Sequence, residues 1–219
     1  MQVVASWSGG KESCFACYKV ILDGFDVTHL LNFISEDVGR RSHGLGAELL
    51  SVQSQAIGIP IVQRRTTWNT YEREFKKVVS RLKRDNIQGI VFGDVHLQEH
   101  KDWIERVCGE IDVEPIFPLW GRDPENIIHD FIDAGFDAII IAVKAEILGE
   151  EWLGRKIDKK LIEELRDRKI DPCGEAGEYH TFVIDGPLFK RRVKILDSDK
   201  VLKDGRWLLE ISRYEISGE

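Results

Sequence analysis

Val3-Val4-Ala5-Ser6-Trp7-Ser8-Gly9-Gly10-Lys11-Glu12-Ser13 starts as a short apolar run that can form a buried strand, breaks at paired glycines, and continues into a helical pattern. Strand, tight turn and helix start, in that order, present backbone N–H groups and the positive end of a helix dipole to an anion. Lys11 adds a cation, and Ser8 and Ser13 add hydroxyls. The spacing is neither the Gly-x-x-x-x-Gly-Lys-[Ser/Thr] of the mononucleotide P-loop nor the Gly-x-Gly-x-x-Gly of dinucleotide folds. An ordinary glycine turn between a strand and a helix is the plainer reading. The position of the stretch, at the end of the first strand, favours a phosphate cradle. Its candidate binding residues are Ser6, Ser8, Gly9, Gly10, Lys11, Glu12 and Ser13.

The 219 residues suffice for one large domain, or one domain with a small appendage. A formal net charge of −7 argues against a general nucleic-acid or anionic-membrane binder. No apolar run approaches the roughly 20 residues of a membrane span, and Met1 leads into strand-forming sequence rather than a signal region. A cytoplasmic protein is expected, and the four cysteines fit a reducing compartment. Cys14 and Cys17 form a C-x-x-C, but they fall one turn apart in the helix after the loop. With no second Cys/His pair spaced to complete a zinc site, they read as small core residues. Charged residues reach 32% while Asn and Gln are sparse, a balance compatible with a heat-adapted source.

Strand and helix patterns alternate through the first two thirds of the chain, which predicts an α/β fold built on a doubly wound parallel sheet. The first helix carries Cys14, Cys17 and Ile21 on one face and stops at Gly24. A strand from Val27 to Ile34 leads into the charged, Gly-rich segment Glu36 to Gly46. That length suggests a substrate or nucleotide flap with Arg40, Arg41 and His43 as phosphate contacts, against the plainer reading of a solvated loop. After a helix over 47–57 and a strand over 59–64, a long helix is expected from an Asn69 cap. Gly89-Ile90-Val91-Phe92 then runs into Gly93-Asp94. Asp94 thus lies at the carboxyl end of a central strand, where open α/β sheets bind ligands, and is a candidate for Mg²⁺ or for the reacting substrate. Capping of the next helix is a compatible alternative.

A short run from Glu114 to Leu119 and a helix opened by Asp123-Pro124 precede the apolar strand Asp137 to Val143. Beyond it come a charged helix capped by Asp158 and hairpin signals at Asp185-Gly186-Pro187 and Asp204-Gly205. The expected division is an α/β domain over 1–143 and a smaller α+β subdomain over 144–219. The second dense patch of chemistry is Asp171-Pro172-Cys173-Gly174-Glu175-Ala176-Gly177-Glu178-Tyr179-His180-Thr181. Its two glycines suggest backbone packed against a ligand or in an unusual conformation. Its carboxylates, Glu175 and Glu178, suit a cationic group, a metal or an attacking amine, and a turn with two solvated glutamates explains them equally well. His180 alone reads as a strand histidine.

Ser-Gly-Gly-Lys-Glu-Ser over 8–13 resembles the pyrophosphate loop of the N-type ATP pyrophosphatases, which split ATP between the α and β phosphates. Together with Gly93-Asp94, Pro118-Leu119-Trp120, Trp152-Leu153-Gly154-Arg155, the Gly174-Glu175-x-Gly177-Glu178-Tyr179 block and Asp185-Gly186-Pro187-Leu188-Phe189, it is similar to the diphthine–ammonia ligase family, in order and over almost the whole chain. The loop is shared widely; the Gly-Glu-x-Gly-Glu-Tyr block is much more specific. The resemblance implies an adenine nucleotide alpha hydrolase-like (HUP-type) fold. The activity it implies is ATP-dependent amidation: the carboxylate of diphthine on translation elongation factor 2 is adenylated, then attacked by ammonia. Eukaryotic members carry Glu at the position of His180 and Gly at that of Ala176, so the resemblance carries the chemistry further than the acceptor. A small carboxylate, as in cobalamin salvage, is the alternative.

On this resemblance the loop residues bind ATP and the departing pyrophosphate, with Lys11 as a catalytic cation, and Glu12 or Asp94 holds Mg²⁺. Glu175 and Glu178 sit at the acyl-adenylate and position ammonium, with His180 as a base of suitable intrinsic pKa. The sequence contains no glutaminase motif, which makes free ammonium the expected donor. Two rivals are weighed against this. A tRNA-thiolating pyrophosphatase would need a catalytic cysteine pair and a basic RNA face, and an ATP-sensing module would bind without releasing pyrophosphate. Neither a nucleic-acid nor a membrane partner is expected, and a homodimer is left open.

Overall fold

The computed structural model describes residues 1–36 and 46–218. They fall into two compact units. One holds Met1–Ser8, the described part of Glu12–Arg41, and Ile59–Gly121; the other holds Gly9–Lys11 and the described parts of Ser42–Gly58 and Arg122–Glu219. The helices are α1 (Lys11–Leu22), α2 (Ala47–Ile57), α3 (Tyr71–Arg84), α4 (Gln98–Glu110), α5 (Pro124–Asp133) and α6 (Lys159–Asp167).

The first unit contains five strands, β1 (Gln2–Ser6), β2 (Asp26–Ser35), β3 (Ile61–Thr66), β4 (Gly89–Val91) and β5 (Glu114–Ile116), all parallel and ordered β3-β2-β1-β4-β5. The expected α/β, doubly wound parallel sheet is therefore present. The chain steps outward from β1 to β3, then returns to β4 on the other side of β1. That reversal leaves a crevice at the carboxyl ends of β1 and β4, the ligand position of open α/β sheets. Val4, Leu31 and Ile90 form one apolar core with Phe75, Val79 and Leu82 of α3 and Ile104, Val107 and Cys108 of α4. On the opposite-facing positions Val3, Ala5 and Val91 are equally buried.

Two helix expectations are revised. Cys14 and Cys17 are fully buried in α1, whereas Ile21 is exposed and Val20 takes its place on the apolar face. Burial raises the Cys17 thiol to about 12, which suits a packing role rather than thiolate chemistry. Helix α3 starts one residue later than an Asn69 cap requires. Thr70 is its N-cap residue, and its hydroxyl accepts from the Thr67 N–H at 2.9 Å instead of capping the helix.

The second unit is built on an antiparallel sheet, β7-β6-β9-β8, from β6 (Asp137–Lys144), β7 (Tyr179–Asp185), β8 (Val193–Lys203) and β9 (Arg206–Ile216). Here the boundary expected at 143/144 is corrected. Strand β6 pairs with β7 and β9, and the units divide at Gly121/Arg122. A continuous apolar run marks a strand covered on both faces and does not say which sheet it joins. The caps Asp123 and Asp158 are as read from sequence, accepting from Asn126 N at 3.0 Å and Leu161 N at 2.8 Å. Asp185-Gly186-Pro187 makes no hairpin, because β7 and β8 are not sheet neighbours.

Asp204 and Gly205 do join β8 to β9, with φ of 50° and 74°, the left-handed pair of a type I′ turn. A Cβ at Gly205 would meet nothing within 4 Å, so substitution there tests backbone conformation alone. Gly205→Val is expected to lower stability by about 1–2 kcal/mol in urea denaturation; an unchanged midpoint would mean the hairpin tolerates another turn.

Candidate active site

In the second unit, Gly9, Gly10 and Lys11 group with α2 and the strands from Arg122 onward. Gly9 has φ 78°, and a Cβ there would lie 2.5 Å from Leu50 Cδ2 and 2.8 Å from Gln53 Oε1, so both conformation and space require glycine. The Gly9 carbonyl accepts from Val183 N at 3.0 Å and from Gln53 Nε2 at 3.0 Å, and the same Nε2 donates to Val183 O at 2.7 Å. Gln53 is completely buried. Sequence reasoning passed over it, because a glutamine in an ordinary helix carries no motif and only its burial reveals its task.

Lys11 is 4% exposed. Its ammonium donates to Cys173 O at 2.6 Å and lies 4.5 Å from the centroid of the Tyr179 ring. Its backbone N–H donates to Thr181 Oγ1 at 3.1 Å. The loop lysine, read from sequence as a cation at the phosphates, is thus engaged with the acidic block. Tyr179 and Thr181, quoted in the motif but given no role there, are the residues that meet Lys11.

The 171–178 turn is held largely through its own carbonyls. Asp171 accepts from Cys173 N at 2.8 Å and Glu175 N at 3.2 Å. Tyr179 Oη donates to Pro172 O, Lys144 Nζ to Ala176 O at 2.8 Å, and Arg206 Nη1 to Gly177 O at 3.0 Å. With Lys11 on Cys173 O, three cationic side chains grip the backbone that carries Glu175 and Glu178. Gly174 and Gly177 take positive φ, 65° and 76°. Glu178 Oε2 is buried and has no hydrogen-bond partner among the described residues. His180 stands opposite Ala142 in β6. Strand alternation turns it to the other face of β7 from Tyr179 and Thr181, so it does not join the Lys11 cluster. In the Trp152-Leu153-Gly154-Arg155 segment, Arg155 makes two 2.8 Å bonds to Glu164 and stacks 4.4 Å over Trp152, which accounts for that motif structurally.

In the first unit, Ser6 ends β1 opposite Leu31, Asn32 Nδ2 holds Trp7 O at 2.7 Å, and Ser8 Oγ donates to Ser13 Oγ at 3.1 Å. A Cβ on Gly93 would fall 2.9 Å from Glu12 C and 3.0 Å from Ser13 N. The backbone before Asp94 therefore lies against the first turn of α1, bringing Asp94 to the same end of that helix as Glu12 and Ser13. Leu97, not Asp94, is the N-cap residue of α4. Asp94 meets His100 Nδ1 at 3.3 Å instead. Burial pushes its carboxyl above the usual range, with His100 opposing. No cluster of three or more metal-ligating side chains exists among the described residues. Arg40, Arg41 and His43 of the expected flap lie outside the described residues.

Comparison with known proteins adds a family. The diphthamide synthase N-terminal domain matches residues 1–115 and the diphthamide synthase C-terminal domain residues 123–216, on either side of the Gly121/Arg122 division. The chain is 27% identical to a diphthine–ammonia ligase of Rattus norvegicus, over 100% of this chain and 91% of the relative. It is 28% identical to that of Homo sapiens, over 92% of this chain and 85% of the relative. A solved structure described as a predicted subunit of tRNA methyltransferase from Methanocaldococcus jannaschii superposes with a TM-score of 0.49 at 16% identity, covering 85% of this chain and 98% of that one.

Two substitutions test this geometry. Gln53→Leu keeps the volume but removes both donors, and should destabilise the fold by about 1–3 kcal/mol in urea denaturation. For Asp94, a raised native pKa means that the native state holds its proton more tightly than the unfolded chain. Its contribution to stability is full below the ordinary carboxylate pKa and is lost as pH rises through the raised one. Asp94→Asn should therefore melt above wild type at neutral pH in chelator, and the gap should close on acidification; a gap independent of pH would assign the effect elsewhere.

Proposed function

The chain belongs to the diphthamide synthase family, and from that membership we propose that it amidates the carboxylate of diphthine on translation elongation factor 2, using ATP and ammonium. It is a ligase, and the observation that carries the finer reading is the Lys11–Cys173 hydrogen bond. It ties the loop lysine to the turn bearing Glu175 and Glu178, which supports a reading in which that lysine and those carboxylates serve one reaction.

A carboxylate reacts poorly with ammonia, because oxide would have to leave. In the proposed sequence a carboxylate oxygen attacks the α phosphorus, and the bond to the pyrophosphate oxygen breaks. Ammonia then attacks the acyl carbon, and AMP departs with the carbon–oxygen electron pair. Ser8, Ser13 and the amides around Gly9 and Gly10, aided by the start of α1, receive the pyrophosphate charge. Glu12 and Asp94 are the residues assigned to Mg²⁺, directly or through water. A site with few protein ligands suits an ion that takes the rest from phosphate and water. When bound, the ion supplies neutralisation of phosphate charge.

Ammonium must lose a proton to become a nucleophile. The buried Oε2 of Glu178, without a hydrogen-bond partner among the described residues, supports a role in binding it and accepting that proton. Glu175, on the same turn, is assigned to orienting the acyl-adenylate. His180 lies on the other face of β7 from Tyr179 and Thr181, and its role as a base rests on the resemblance alone. No helix among the described residues is long and apolar enough to cross a membrane, which agrees with a proposed cytoplasmic setting.

Pyrophosphate and AMP release should be followed with ATP, Mg²⁺ and ammonium, with and without elongation factor 2 carrying diphthine. Release that requires the factor, with gain of an amide by mass, is the expected result, and Glu178→Gln should slow amide formation on the order of 10²-fold. AMP formation that ignores the factor would overturn the acceptor and point to a small carboxylate. No AMP under any condition would overturn the ligase assignment in favour of a sensor.

A further inference from the structure

We infer that Lys11 and Thr181 are positioning residues that set the acidic turn from the nucleotide loop, and that Lys11 acts on amide formation through Cys173 rather than on phosphate. Four contacts within the second unit carry this. The Lys11 ammonium donates at 2.6 Å to the Cys173 carbonyl, one residue before Gly174. It lies over the Tyr179 ring at 4.5 Å, the ring whose hydroxyl donates to Pro172 O. The Lys11 N–H is the first of helix α1, one of the helix-start amides normally offered to an anion, and it donates to Thr181 Oγ1 at 3.1 Å. The Gly9 carbonyl is bonded to Val183 N at 3.0 Å, two residues further along the same strand.

The loop is thus fastened to β7 at Gly9 and at Lys11, and the turn is fastened to the loop at Cys173. Any shift of the loop on phosphate binding is transmitted to the backbone that carries Glu175 and Glu178. A buried ammonium is held here by a carbonyl and an aromatic face, an arrangement that fixes geometry.

The kinetic part of the test rests on the proposed ligase reaction; a labelling part does not. In Lys11→Met and Thr181→Val, the ATP Kd should stay within about threefold of wild type while the ammonium KM rises about tenfold or more, and Thr181→Ser, which keeps the hydroxyl, should restore it. Independently of activity, release of the clamp should expose Cys173, which is 2% exposed. Its labelling by a thiol reagent, measured by mass spectrometry as a ratio to the buried Cys108, should rise about tenfold in both variants through local opening. An unchanged Cys173/Cys108 ratio overturns the inference, whether or not the variants are less stable. A tenfold loss of ATP affinity in Lys11→Met with an unaltered ammonium KM also overturns it, and makes Lys11 a phosphate ligand. If wild type shows no ammonium-dependent turnover, the ligase reading fails while the labelling ratio still decides the clamp.

Discussion

A tight turn that must present two carboxylates cannot also use its own carbonyls to make regular secondary structure. From residue 172 to 177, four carbonyls are taken up by side chains from outside that stretch: Tyr179 just after it, and Lys11, Lys144 and Arg206 from distant parts of the sequence. Three of those side chains are cations, and the grip serves two ends. It satisfies backbone acceptors that would otherwise be costly to bury, and it fixes the backbone from which Glu175 and Glu178 project. Much of the second unit can be understood from this need. Lys144 is supplied by the end of β6 and Arg206 by the start of β9, two strands whose pairing brings these residues directly opposite each other. The β6–β9 register therefore has a functional consequence: a two-residue slip would carry one cation away from the turn.

In the first unit the constraint is topological. Because β1 and β4 are adjacent and the chain leaves them in opposite directions, their carboxyl ends open a crevice without any need for a long loop. The small size of Gly93 lets the segment after β4 pack onto the first turn of α1, so a serine pair, Glu12 and Asp94 collect at one end of one helix. The raised pKa of Asp94 is the expected mark of a largely buried carboxylate, with its contact to His100 opposing the shift. A nearby cation would relieve it, in line with the proposed metal role.

Much of this was legible in the sequence where local rules are strong. The strand–glycine–helix order at 3–13, the Asp123 and Asp158 caps and the Asp204-Gly205 turn each rest on short-range chemistry, and each appears in the structure. What was not legible depends on partners far away in sequence. The apolar run of β6 reads the same in a parallel or an antiparallel sheet, and its true partners lie about forty to seventy residues onward. Gln53 and Thr181 carry no motif; their importance comes from which carbonyl or amide they meet. Lys11 was visible as a residue of interest, but its direction was not, because a lysine stem reaches equally well toward a crevice or toward a neighbouring turn.

Strand geometry also separates the chemistry of this site from whatever selects its acceptor. Tyr179 and Thr181 alternate with His180 along β7, so the clamp on Lys11 uses one face of the strand and the histidine the other. The position at which this chain carries His180, and the eukaryotic members of the family it resembles carry Glu, is therefore not one that holds the loop to the turn. The contacts that fasten the loop to β7 and to the turn lie on the Tyr179 and Thr181 face, which makes the loop and the turn the stronger guide to reaction type and His180 the weaker one.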